Sequence, residues 1–200
     1  VIVHPPIRIL QRCAADILGP LTPSRNNNRY ILVISNYLSR FVEAIPMPDQ
    51  TSETVLSAII DNYILRYGKM EELHTDQGSQ FQSALIKEFC KEQGIKQTRT
   101  SAFRPNCGGM IGKWNRTIAD MISCYVQENK DWERYLRVCT HAYNVSEHAT
   151  TGETPFYVMF LRDAKELYDL QILPRNRTLT NAGTVFAQRW HSAQIGRASC

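Results

Sequence analysis

Tyr30-Ile31-Leu32-Val33-Ile34-Ser35 is a nearly unbroken apolar run rich in β-branched residues. Such a run predicts a strand covered on both faces, so its surroundings must supply two layers. Upstream, Cys13-Ala14-Ala15-Asp16-Ile17-Leu18 reads as a second strand, interrupted by one acid and stopped by Gly19-Pro20. Between them, Pro23-Ser24-Arg25-Asn26-Asn27-Asn28 is turn chemistry. Downstream, Arg40 to Ile45 alternates apolar and polar residues, as an antiparallel neighbour would, and is expected to end at Pro46.

Beyond this hairpin-rich start the period changes. Asp49 to Thr51 forms a cap, Val55, Leu56, Ile59, Ile60, Tyr63 and Ile64 form a helical stripe, and Gly68 stands where a C-terminal glycine belongs. Glu72-Leu73-His74-Thr75 is a short strand ending in Asp76-Gln77-Gly78. Phe81, Leu85, Ile86, Phe89 and Cys90 predict a second helix stopped by Gly94, and Ile95 to Arg99 another short strand. Trp132, Tyr135, Leu136, Cys139, Ala142 and Tyr143 predict a further amphipathic helix, and Val185 to Trp190 a last one. Three strands followed by helix, strand, helix, strand and helices predict an α/β mixed sheet with helices on both faces.

A second stretch is chemically unusual. Arg104-Pro105-Asn106-Cys107-Gly108-Gly109 is a loop that runs into Met110, Ile111, Trp114, Ile118, Met121, Ile122 and Tyr125, which fall on one helical stripe. Gly112, Asn115, Arg116 and Ala119 fall on the other side. Glycine costs a helix about 0.8–1.0 kcal/mol relative to alanine, so Gly112 is a poor choice for helix-building alone. Trp114 belongs to the apolar stripe and reads as core rather than as a base-stacking platform.

Composition narrows the class. Apolar content of 43% and charged content of 21% describe a globular chain with enough length for one core. No apolar run approaches the about 20 residues of a membrane span, and no leader is evident, so no membrane partner is expected. The first residue is Val1, which suggests a piece of a longer protein. A net charge of +4 does not announce nucleic acid, but Lys87, Lys91, Lys96, Arg99, Arg104, Lys113 and Arg116 gather mid-chain, opposed by Glu88 and Glu92. A solvated basic face is the plain alternative. The cysteines at 13, 90, 107, 124, 139 and 200 make no C-x-x-C pair, which predicts a reducing, intracellular setting rather than disulfides or a zinc knuckle. The histidines at 4, 74, 141, 148 and 191 have no zinc-like spacing. Asn115, Asn144 and Asn176 open N-x-[ST] triplets that read as chance matches.

Two acids stand out by position. Asp16 lies in the first strand and Asp76 at the C-terminal end of a later one. If those strands are parallel neighbours, both carboxylates reach one sheet edge, where ligand sites of open α/β sheets gather. Each also has a plain reading: a turn for Asp76-Gln77-Gly78, and a buried, loop-bonded acid for Asp16.

The blocks Ala15-Asp16-Ile17-Leu18-Gly19-Pro20, His74-Thr75-Asp76-Gln77-Gly78 and Gly109-Met110-Ile111-Gly112-Lys113-Trp114-Asn115-Arg116-Thr117 together resemble the integrase core of retroviruses and LTR retrotransposons. Ala142-Tyr143-Asn144, His148, Thr151-Gly152-Glu153 and Pro155-Phe156 resemble the Gypsy-type branch in particular. The likeness runs from about residue 10 to about residue 170. It implies an RNase H-like fold with a mixed five-stranded sheet, Mg²⁺ or Mn²⁺ as cofactor, element ends and target DNA as partners, homo-oligomers and a nuclear location.

It also implies a D, D-35-E catalytic pattern, in which Asp16 and Asp76 match the two metal-binding aspartates. Positions 76 and 112 are separated by 35 residues, so Gly112 occupies the place of the glutamate. Leu10, Asn36, Arg104 and Leu161 stand where Trp, Asp, His and Gly are usual, and Gly108 where an acid is common. A DNA backbone at the metal site would also meet Asn115 and Arg116, which share a face with Gly112, while Lys96, Arg99, Arg104 and Lys113 could add phosphate contacts. For Lys96 and Arg99 an exposed strand face is an equal alternative. The expected organisation is an extended lead-in over 1–12, a catalytic-core-like domain over 13–170 and an extension over 171–194. Residues 195–200 resemble a translated sequencing adaptor and are expected to be a scar; coding DNA that follows its genomic locus unbroken through Cys200 would refute this.

The expected function is therefore a polynucleotidyl transferase by ancestry with an incomplete acidic triad. The alternative is a non-catalytic nucleic-acid-binding or domesticated interaction module. A nuclease of the wider RNase H-like group is disfavoured by the blocks around His148 and Pro155.

Overall fold

The computed structural model describes residues 6–99 and 132–165. The predicted segments around 104–125, the helix at 185–190 and the termini beyond 165 lie outside the described residues. Strands β1 (Arg12–Leu18), β2 (Tyr30–Asn36), β3 (Val42–Met47), β4 (Glu72–Thr75) and β5 (Lys96–Arg99) form one sheet in the order β3-β2-β1-β4-β5. β1, β2 and β3 are an antiparallel meander, whereas β4 and β5 run parallel to β1.

The alternation of β2 feeds two cores. Leu32 and Ile34 join Cys13, Ala15, Val55, Ile59, Tyr63, Phe81 and Ile86 on one face. Ile31 and Val33 join Val42, Ala44, Trp132, Leu136 and Cys139 on the other. Each fully buried aliphatic side chain contributes about 1.5–3 kcal/mol, so the central strand specifies the two-layer arrangement.

On the first face, α1 (Ser52–Ile59) is capped by Thr51, whose hydroxyl accepts from the Thr54 amide. It continues as a π-helical turn over Ile60–Ile64 and a last turn, α2 (Leu65–Tyr67), before Gly68 at φ 99°. The predicted stripe is thus one continuous helical run with a wider turn in its middle, which brings the Tyr63 hydroxyl to 3.3 Å from the buried Cys13 thiol. Burial raises the Cys13 pKa to about 12, so this thiol is an inert core group. α3 (Ala84–Glu92), capped by Ser83, completes this layer.

On the second face lies α4 (Trp132–Val145), followed by α5 (Pro155–Phe160). Asn144 joins α4 to the sheet: its Oδ1 accepts from the Val42 amide at 3.0 Å and its Nδ2 donates to the Val42 carbonyl at 2.8 Å. One side-chain amide thereby satisfies both backbone groups of an edge-strand residue.

Four local expectations are corrected. β3 continues through Pro46 to Met47, because β3 is an edge strand and a missing N–H there breaks no ladder. Phe81 precedes its helix, fully buried, with its carbonyl held by Gln97 Nε2 at 2.7 Å. Ala142 is exposed, and the buried side of α4 is Trp132, Leu136, Cys139, Thr140 and Asn144. α5 was not expected as a helix, although Thr154 at its N-cap and Pro155 at its first position are start signals.

Two departures from the family pattern take on structural meaning. Asn36 Oδ1 accepts from the Leu38 and Ser39 amides at 3.0 and 2.9 Å, a turn role that a carboxylate oxygen also fills, while its buried Nδ2 donates to the Cys13 sulfur, which an aspartate could not do. Leu161 closes α5 at φ 54°, a left-handed position suited to glycine, with its side chain 68% exposed. A non-glycine residue there costs roughly 1–2 kcal/mol, and little burial is lost on removing the side chain. Leu161→Gly is expected to raise stability by about 1 kcal/mol; an unchanged or lower midpoint in urea would contradict this.

Candidate active-site edge

β1 and β4 pair in parallel with Ala14 opposite His74 and Ala15 opposite Thr75. Asp16, inside β1, and Asp76, just past the end of β4, are the next residues along these strands, and neighbouring strands lie about 4.8 Å apart. Side-chain alternation puts both on the face that α4 covers, since Asp16 also pairs with Val33 of the second core.

The two acids are held locally. Asp16 is half-buried, and its Oδ1 accepts from the Ile17 amide at 2.8 Å. Asp76 is exposed, and its Oδ1 accepts from the Gly78 amide at 2.9 Å. A Cβ at position 78 would stand 2.5 Å from Gln80 Nε2 and 3.0 Å from Asp76 Oδ1, so a side chain there would displace the Gln80 amide and press on the acid. The fully buried Thr75 donates to the Asp76 carbonyl at 3.0 Å. The turn and site readings of Asp76-Gln77-Gly78 are therefore compatible: the turn fixes one oxygen of the acid at the edge.

Further down the same face, Arg12 pairs with Glu72 at 2.9 Å, Glu72 accepts from Thr98 at 2.7 Å, and Thr98 meets His74 Nδ1 at 3.0 Å. Arg12 also lies over the Tyr37 ring, which meets the His74 ring edge-on. Burial lowers the His74 pKa, with Glu72 opposing and Arg12 reinforcing the shift, so the ring is a neutral structural bridge at pH 7.

The cationic candidates separate. Lys96 is level with Glu72, on the carboxylate face but about 13 Å from the edge along the strand. Arg99 is level with Thr75, at the edge but on the opposite face. Arg104, Gly112, Lys113, Asn115 and Arg116 lie outside the described residues.

Donor chemistry at the edge fits a hard divalent cation in kind, because carboxylate oxygens at a solvent-facing strand end are what Mg²⁺ takes. It falls short in number: among the described residues no group of three His, Cys, Asp or Glu side chains could hold a metal.

Sequence reading missed Glu133, in the first turn of α4. Its carboxylate accepts from Ser24 Oγ, from Asn26 Nδ2 at 2.7 Å and from Asn28 Nδ2 at 2.9 Å. The turn-rich segment Ser24 to Asn28 was visible, but its partner lies more than a hundred residues away. Partial burial pushes the Glu133 carboxyl up, yet these three bonds and Arg137 outweigh it, so the group lies below its ordinary value. A depressed folded pKa adds stability above the unfolded value of about 4.3 and loses it as pH falls through the folded one. Acidification through that window is expected to release the loop first, read as exchange of the Trp132 indole N–H that donates to the Thr22 carbonyl at 2.9 Å. Simultaneous loss of all amide protection would contradict a local release.

Among the described residues no helix is long and apolar enough to cross a membrane. The Integrase core domain profile matches residues 9–105. The retrovirus-related Pol polyprotein from transposon 412 of Drosophila melanogaster is 28% identical over 162 residues, 80% of this chain and 13% of that protein. Gypsy retrotransposon integrase-like protein 1 of Bos taurus is 26% identical over 149 residues, 74% of this chain and 30% of that protein. The chain thus spans only a small part of the relatives it matches. In fold it is similar to the HTLV-2 integrase catalytic core domain solved in complex with magnesium, with a TM-score of 0.61 at 19% identity, covering 74% of this chain and 95% of that one. By sequence match the chain carries an integrase core domain over residues 9–105 and is similar to the Pol proteins and integrase-like proteins of retroelements, and in fold it is similar to a retroviral integrase core.

Proposed function

We propose that this chain is a DNA-binding integrase core whose metal-dependent strand transfer is disabled by Gly112. The observation that supports the reading is the parallel register of β1 and β4, whose last pair, Ala15 opposite Thr75, is followed on each strand by Asp16 and Asp76. Two carboxylates so close repel unless a cation lies between them. Asp16 and Asp76 would hold a divalent ion, which supplies activation of a water or 3′-hydroxyl and stabilisation of the leaving oxygen. The chain's own contribution is to fix the acids: the Ile17 and Gly78 amides orient one oxygen of each, and buried Thr75 anchors the end of β4.

A two-ion site needs at least one further protein oxygen, and the family position for it is a glycine. Binding does not share that requirement, because phosphate contact depends on Lys and Arg charge. The partners are element-end and target DNA, the assembly is a homo-oligomer as in the dimeric and trimeric HTLV-2 cores, and the compartment is the nucleus, where target DNA lies.

The test uses the whole chain with short duplex DNA and with Mg²⁺ or Mn²⁺. Binding that weakens steeply with salt, together with no strand transfer, is the expected pair of results. Robust strand transfer by the unmodified chain would overturn the disabled reading. No binding at low salt would overturn the DNA-binding one.

A further inference from the structure

We infer that Gln97 of β5 is a positioning residue for Asp76, acting through the turn that follows the acid. The inference deepens the proposed function and rests on it in one respect: the position of Asp76 matters to a metal only if Asp76 is one of its ligands.

The turn is built outward from the acid. The Gly78 amide donates to Asp76 Oδ1 at 2.9 Å, and the Gly78 carbonyl accepts from the Phe81 and Gln82 amides at 3.1 and 3.2 Å. A rotation of the backbone at Phe81 is therefore passed through Gly78 to the oxygen that Gly78 holds. Phe81 sets the depth of the turn, because its ring is fully buried with Val55, Leu73 and Ile86 in the core on the first face. A buried ring alone leaves the backbone able to pivot about it, and two further bonds remove that freedom. Gln97 Nε2 donates to the Phe81 carbonyl at 2.7 Å, and Ser52 Oγ, at the start of α1, donates to the Gln80 carbonyl at 3.3 Å. Two consecutive carbonyls are thus tied to two different elements, β5 and α1. With the ring as a third point, the orientation of the turn is fixed.

Register places Gln97 for this task. It stands opposite Leu73 in the parallel pair of β4 and β5, so its side chain shares the face of the first core, whereas its neighbour Lys96 is exposed. The plain alternative is that Gln97 only satisfies one backbone carbonyl. Against it stands the place of that carbonyl, on the residue whose own amide is bonded to Gly78. The bond is also the shorter of the two that tie the turn down, at the short end for an N–H donor and a carbonyl. Groups that orient a metal-binding side chain typically change metal affinity by about 10–100-fold when they are removed.

Gln97→Leu removes the donor and keeps the bulk on an apolar face. Two quantities are read on the whole chain: exchange of the Gly78 amide by NMR without metal, and the dissociation constant of Mn²⁺ from its paramagnetic relaxation. Gln97→Leu is expected to speed Gly78 exchange severalfold and to weaken Mn²⁺ binding about tenfold. Ser52→Ala should do both to a smaller extent, because its bond is longer. Val42→Ala, in β3 at the opposite edge of the sheet, controls for a general loss of stability: it should lower the melting midpoint and leave both quantities unchanged. Unchanged Gly78 exchange in Gln97→Leu would overturn the positioning role, with or without a metal. Equal changes in Val42→Ala would overturn it too, by making the effect one of stability. Faster exchange with unaltered Mn²⁺ affinity, in a chain whose affinity needs Asp76, would reduce Gln97 to a turn anchor and sink the inference. If Asp76→Asn binds Mn²⁺ as tightly as the unmodified chain, the metal reading falls, and Gly78 exchange still decides the role of Gln97.

Discussion

Gly112→Glu is expected to convert a chain without measurable strand transfer into one whose transfer exceeds background by about 10²-fold or more in the presence of Mg²⁺ or Mn²⁺. The size follows from what one well-placed electrostatic group contributes to a transition state, about 10²–10³ in rate. On the proposed reading, Asp16 and Asp76 follow the last parallel pair of neighbouring strands, so activity would need one more hard oxygen ligand rather than a rearranged sheet. Asp120, further along the same predicted helix, and Glu128, near its end, are not at the matching position.

Stability alone cannot serve as the readout. In the helix that the sequence predicts there, replacing Gly112 by glutamate would improve propensity by several tenths of a kcal/mol, and an acid in its first turn would be favoured by the helix dipole. The informative quantity is the additional stabilisation produced by Mn²⁺, which grows with the ratio of free ion to its dissociation constant. That increment should be larger in Gly112→Glu than in the unmodified chain and should vanish when Asp76→Asn is added. A metal-dependent gain without strand transfer would move the lesion to the other departures, Gly108 and Arg104 first. No metal-dependent gain at all would remove Asp16, Asp76 and position 112 as a common site.

The sheet was legible because its signals are short-range. Apolar continuity at Ile31 to Ile34 and alternation after Arg40 need only a few residues of context. Pro46 was misread because edge status is a property of the assembled sheet, not of the strand. The separation of Lys96 from Arg99 was invisible for a similar reason: three residues apart, they point to opposite faces, and only the register with β4 says which one reaches the edge. The link from Glu133 to the β1–β2 loop and that from Asn144 to Val42 each join residues about a hundred positions apart. No local pattern encodes such a bond. A polar residue at a buried helical position, as Asn144 is, was the one available hint.

Trp132→Ala is expected to destabilise the chain by about 3–5 kcal/mol, a large share of the 5–15 kcal/mol that holds a typical domain together. The ring is fully buried among Ile31, Val33, Val42 and Leu136, where the first turn of α4 meets the sheet. Removing it leaves a cavity in the core between α4 and the sheet and orphans the Thr22 carbonyl, which the indole N–H now satisfies. Trp132→Phe separates the two losses, since it keeps most of the volume and gives up only the hydrogen bond, at a cost of about 0.5–1.5 kcal/mol. If packing dominates, the alanine variant unfolds at far lower urea than the phenylalanine variant. Equal losses in the two would mean that the bond to Thr22, and not the ring, secures α4. Because Glu133 is the next residue, the alanine variant should also free the β1–β2 loop, read as faster exchange of the Asn28 amide held by Ser24 Oγ at a temperature where the fold still holds. Unchanged exchange of that amide under those conditions would show that the loop keeps its shape without the tryptophan anchor.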